Sequence, residues 1–72
     1  MEYELRKNLA LNIKIERIKK HLTQEKLAEL SDISTKHITK IENERVTPSI
    51  YLVYRIAHAL NVTIDKLLQK VD

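Results

Sequence analysis

The chain has 72 residues, 43% of them hydrophobic and 32% charged, with neither cysteine nor glycine. This is the composition of a small soluble globule near the lower size limit for one self-sufficient core, and it excludes a disulfide framework and any thiolate metal site. Thirteen basic against ten acidic residues leave a net charge of +3, a weak pointer to a polyanionic partner.

No apolar run approaches the ~18 residues that span a bilayer, and "MEYELRKNLALN" lacks a signal-peptide core. A cytoplasmic protein with no membrane partner, forming a single domain over residues 1–72, is therefore expected. A first helix is predicted from about Tyr3 to Lys20. Leu5, Leu9 and Ile13 recur at four-residue steps with Arg17 extending the row, and Ile15, Ile18 and Leu22 supply a neighbouring one. Thr23 reads as an N-cap opening "QEKLAELS", and Ser34 as a second cap opening "TKHITKIEN". Ser49, after the single proline Pro48, caps "IYLVYRIAHAL", and Thr63 caps "IDKLLQK". On helix four Ile50, Val53, Ile56, Ala57 and Leu60 form the inward stripe. No segment alternates with period two long enough to be a strand, so the class is all-α with five helices.

The corners between these helices fall at His21, Asp32, Glu44 and Asn61. Helices commonly end on a left-handed residue, where glycine is cheapest. Asn, Asp and His are the other residue types most enriched there. Glu44 is the poor fit, and its corner is expected to avoid the left-handed conformation.

In the third helix Ile38 and Ile41 face inward, with Ile33 placed before the Ser34 cap as a hydrophobic staple. Thr35, Lys36, Thr39, Lys40 and Asn43 form one outward stripe with no acid and nothing long and apolar. Lysine can donate to guanine O6 and N7, and a threonine methyl can touch the thymine methyl, so this face suits the DNA major groove. A merely solvated helix face is the alternative. The preceding helix favours the first reading: Ala28 allows close approach, Asp32 sits at the corner four residues on, and Ile38 supplies a β-branched core residue. That is the geometry a helix-turn-helix requires.

The segments "TQEKLAE", "ITKIEN", "TPS" and "AHALNVTIDKLL", in this order and spacing, closely resemble the XRE family of phage repressors and Cro proteins over about Ile13 to Leu68. The resemblance implies a lambda-repressor-like fold with its helix-turn-helix at about residues 24–42. It implies a transcriptional regulator, a repressor by preference, that binds a palindromic double-stranded operator as a homodimer. Thr35, Lys36, Thr39 and Lys40 would then touch base edges. Thr23, Gln24, Ser34, His37, Asn43 and Arg45 would hold phosphates, and Arg17 and Glu42 match a family salt bridge between helices one and three. The family prefers glycine at the four corners named above, and this chain has none. An antitoxin and a restriction-modification controller share the fold, and a helical protein–protein adaptor is the alternative from another class.

His21, His37 and His58 make no H-x3-H pair, so no metal or other cofactor is expected. No nucleophile has an evident activating partner, and the chain is read as a non-enzyme. Leu52 points away from the helix-four stripe, and with Leu68 and Val71 it is the candidate dimer surface. Little of the chain remains for a ligand-sensing domain, so no small-molecule ligand is expected.

Overall fold

The computed structural model describes residues 3–71. Five helices follow in order: α1 (Tyr3–Lys19), α2 (Gln24–Ser31), α3 (Thr35–Glu42), α4 (Ile50–Leu60) and α5 (Ile64–Leu68), with no strand among the described residues. α1 packs on α3, α4 and α5, while α2 packs on α3 and α4. The core between them is built from Leu9, Ile13, Leu27, Ile38, Ile41, Val53, Ile56, Leu60 and Leu67, each almost wholly buried.

Each of α2 to α5 begins on a hydroxyl N-cap. The side chains of Thr23, Ser34, Ser49 and Thr63 accept from the backbone N–H of Lys26, His37, Leu52 and Lys66 at 3.0, 3.1, 3.2 and 3.0 Å. Each accepts one of the N–H groups that a helix start leaves unpaired.

His21, Asp32, Glu44 and Asn61 all adopt positive φ, at 57°, 55°, 61° and 58°. Glu44 thus departs from the expectation that its corner avoids the left-handed region. The hydrogen bonding supplies the reason. At every corner the left-handed residue donates to the carbonyl three back, and the next residue donates to the carbonyl five back. For Glu44 these are Ile41 O at 3.1 Å and, from Arg45, Lys40 O at 2.9 Å. This is the Schellman closure, which pairs carbonyls that the helix end would otherwise orphan. Its two bonds outweigh a left-handed penalty of roughly 1–2 kcal/mol for a residue bearing a Cβ.

Three corners repeat one sequence pattern: a left-handed residue, an apolar residue, then the cap. They are His21-Leu22-Thr23, Asp32-Ile33-Ser34 and Asn61-Val62-Thr63. Leu22, Ile33 and Val62 are half-buried against the core. Each is in position to staple the helix that follows, four residues after its cap, onto Leu27, Ile38 and Leu67. The third corner breaks the pattern, because exposed Arg45 follows Glu44 and the chain runs on through Pro48 before Ser49.

Two expected inward rows differ from the structure. Ile15 and Ile18 on α1 are 38% and 54% exposed, and the buried positions are Leu9, Ala10, Ile13 and Glu16. At ~100° per residue Ile18 lies about 140° round the helix from Ile13, beyond the face that the other helices cover. Leu5 is exposed in the first turn. On α4 the buried stripe starts at Val53, leaving Ile50 at 68% exposure on the helix's first residue.

Candidate nucleic-acid interface

α2 and α3 meet at the Asp32 corner, and two strands of polar contact lock their relative position. On one side Arg55 of α4 donates to Asp32 O at 2.6 Å and pairs with its carboxylate Oδ2 at 2.9 Å. The same guanidinium lies 5.3 Å over the Tyr51 ring, a cation–π contact within α4. The left-handed turn is thus strapped to α4 by a residue outside the motif.

On the other side Arg17 of α1 donates through Nε and Nη2 to Glu42 Oε2 and Oε1 at 2.8 and 3.1 Å. Its Nη1 donates to Leu22 O at 2.7 Å. The side chains are 12% and 2% exposed, so this fork-to-fork ion pair lies largely out of water. Gln24, the first residue of α2, joins it: Nε2 donates to Glu42 Oε1 at 3.1 Å, and Oε1 accepts from the Thr39 hydroxyl at 2.9 Å. Thr39 also lies 3.0 Å from Thr35 O, one turn back. The two helices are therefore joined by side chains from the base of the pair to its outer face.

Outside this network α3 presents an uncompensated basic surface. Lys36 and Lys40 are exposed on α3 and Arg45 is exposed just beyond it, and none takes part in an ion pair among the described residues. The nearest acid on the helix, Glu42, is turned inward onto Arg17. Thr35 is half-exposed on the same stripe, and Asn43 is exposed at its end. Thr23 and Ser34 use their side-chain oxygens as caps, so both sit at helix N-termini, where backbone N–H groups favour an anion. His37 is half-buried, and its Nε2 is buried without a hydrogen-bond partner.

The candidate dimer residues differ in their surroundings. Leu68 is half-buried against the core, Leu52 is half-buried on α4, and Val71 lies beside Tyr3 and Leu11 in a groove at the start of α1. The open apolar surface on α4 and α5 lies elsewhere. A groove of about 400 Å³ runs between them, walled by Tyr54, Ala57, Val62 and Ile64, with His58 and Asp65 on it. The Tyr54 and His58 rings stack with centroids 6.2 Å apart.

Some contacts gave no sequence signal. Gln24 and Thr39 are 15 positions apart, and Arg55 and Asp32 are 23 apart. Asn12 of α1 donates to the backbone oxygens of Leu67 and Gln69 at 2.9 and 2.8 Å, closing the end of α5 across more than 50 positions. No group of His, Cys, Asp or Glu residues able to hold a metal occurs among the described residues.

Solved structures similar to this one include regulators. A hypothetical transcription factor, NHTF, from Neisseria superposes with a TM-score of 0.89 at 29% identity, covering 92% of this chain and 76% of that one. The clp gene regulator ClgR from Corynebacterium glutamicum gives 0.84 at 30% identity, over 93% of this chain and 87% of that one. The restriction-modification controller protein C.Esp1396I gives 0.85 at 28% identity, over 93% and 91%. No curated protein matches the chain. The helix-turn-helix family model HTH_3 matches residues 13–67, from the middle of α1 to α5. With five helices, a locked helix pair and that match over most of its length, the chain belongs to the HTH_3 helix-turn-helix family.

Proposed function

We propose that the protein is a sequence-specific double-stranded DNA-binding transcriptional regulator, acting as a repressor in the bacterial or phage-infected cytoplasm. The observation that carries this reading is the outer face of α3, where Lys36 and Lys40 stand unpaired on a short helix whose one acid is turned inward. Segment 34–43 enters the major groove, with Thr35, Lys36, Thr39 and Lys40 at base edges. Thr23, Gln24, Ser34, His37, Asn43 and Arg45 surround that face and position the protein on phosphates.

A homodimer on a palindrome completes the proposal. The α4–α5 groove, with Tyr54, Val62 and Ile64 on its wall, offers an apolar surface for an isologous contact. Control of a restriction-modification system is the second reading, favoured by a likeness to C.Esp1396I that runs nearly end to end in both chains.

Selection of bound duplexes from a randomised pool at ~150 mM salt tests the proposal. An enriched palindrome with half-sites ~34 Å apart is expected. Binding without enrichment would make the protein a backbone binder. No binding at low or moderate salt would leave the protein-adaptor reading in its place.

A further inference from the structure

The Thr39 hydroxyl has a single proton and two acceptors within the protein, Gln24 Oε1 at 2.9 Å and Thr35 O at 3.0 Å. Whichever it uses, the proton points inward. The orientation of the Gln24 amide is equally constrained. Its Nε2 lies 3.1 Å from Glu42 Oε1, and a carboxylate can only accept. A flipped amide would set its own oxygen against that carboxylate and turn an N–H toward Thr39. Glu42 is fixed in turn by two bonds from Arg17. Donation therefore runs one way along the chain: Arg17 and Gln24 both to Glu42, and Thr39 to Gln24.

We infer that Thr39 is an acceptor-only reader, selecting a base whose major-groove edge carries an amine, adenine N6 or cytosine N4, and rejecting guanine. This rests on α3 being the recognition helix and goes beyond it by fixing the sign of one contact. Guanine presents N7 and O6, both acceptors, and would meet a lone pair; adenine and cytosine each present an amine. Thymine offers no donor there, only O4 and its methyl. Thr35, one turn away on the same stripe, makes no side-chain hydrogen bond among the described residues, so its hydroxyl remains free to donate or accept. Two threonines on one face thus carry different hydrogen-bonding rules, set by a network rooted in α1.

The test is duplex selection with the wild type, Thr39→Val, Thr39→Ser and the Lys36→Ala/Lys40→Ala pair, each first shown to be folded by circular dichroism. One half-site position should respond to Thr39→Val; because every base pair carries one major-groove amine, on adenine or on cytosine, that position is then probed with purine in place of its adenine or pyrimidin-2-one in place of its cytosine. Its preference should fall about tenfold in Thr39→Val, the worth of one hydrogen bond with its unmet partner, and persist in Thr39→Ser, which keeps the hydroxyl. Loss of that amine should weaken wild-type binding about tenfold and leave Thr39→Val unchanged, and an equal loss in both proteins would overturn the inference. So would a Thr39→Val profile identical to the wild type when the lysine pair alters other positions. If neither Thr39→Val nor the lysine pair alters any position, the recognition-helix reading falls along with it.

Discussion

Glu44→Gly is the most direct probe of how this protein turns without glycine. Glu44 sits at φ 61° with no side-chain hydrogen bond among the described residues, so its side chain gives nothing back for the strain of its Cβ. Glycine relieves roughly 1–2 kcal/mol of left-handed strain, less roughly 0.5–1 kcal/mol for its freer unfolded chain. The acid also lies just past the end of α3, where a negative charge opposes the helix dipole by roughly 0.3–1 kcal/mol in an exposed setting. The net gain is about 1 kcal/mol, a rise in Tm of about 4–8 °C for a domain of this size. Glu44→Gln, which removes the charge and keeps the Cβ, should recover only the smaller electrostatic share. Asn61→Gly should be close to neutral, because asparagine tolerates φ 58° far better. Thermal unfolding by circular dichroism measures all three. A Glu44→Gln variant that matches Glu44→Gly would show that charge, not backbone strain, dominates this corner. A destabilised Glu44→Gly would refute the strain argument altogether.

Other outcomes follow from the contacts. Removing one partner of the buried pair, Arg17→Ala or Glu42→Ala, should lower stability by ~3 kcal/mol in urea unfolding, whereas Arg17→Met/Glu42→Leu should lose much less. Arg45→Ala should leave the selected DNA sequence unchanged while reducing the slope of log K against log salt by ~0.9, the mark of one phosphate contact. Asn12→Leu frees the Leu67 and Gln69 carbonyls and should cost about 1–2 kcal/mol, with faster amide exchange confined to α5. Arg55→Lys should not restore what Arg55→Ala loses in Tm, because a compact ammonium lacks the planar fork that lies over Tyr51 while reaching Asp32 O and Oδ2.

The legible part of the fold lay where its causes are local. A hydroxyl cap is recognisable because it bonds an N–H three residues ahead, and Thr23, Ser34, Ser49 and Thr63 all do so. The inward setting of Ile38 and Ile41 follows from their spacing on one short helix. α1 was harder because several of its faces are apolar, and only the packing of α3, α4 and α5 decides that Ile13 is covered and Ile18 is not. Glu44 defied its residue preference because two backbone bonds close that corner whatever side chain stands there. On the interface, the outward stripe of α3 was readable from periodicity. The inward commitment of Thr39 was not, since it depends on an amide 15 positions away that is itself oriented by α1.

The corner pattern also bears on where this protein can change length. In His21-Leu22-Thr23, Asp32-Ile33-Ser34 and Asn61-Val62-Thr63 the middle residue has two duties, its N–H closing one helix while its side chain is placed to staple the next. An inserted residue would break the staple and rotate the following helix out of register, so these three junctions leave no room for insertion. The stretch from Arg45 to Pro48 is different, because closure at Glu44 and capping at Ser49 are separate events joined by intervening chain. Relatives that differ in length within this part of the chain should carry their insertions there, beside α3, where a longer loop leaves the helix pair undisturbed.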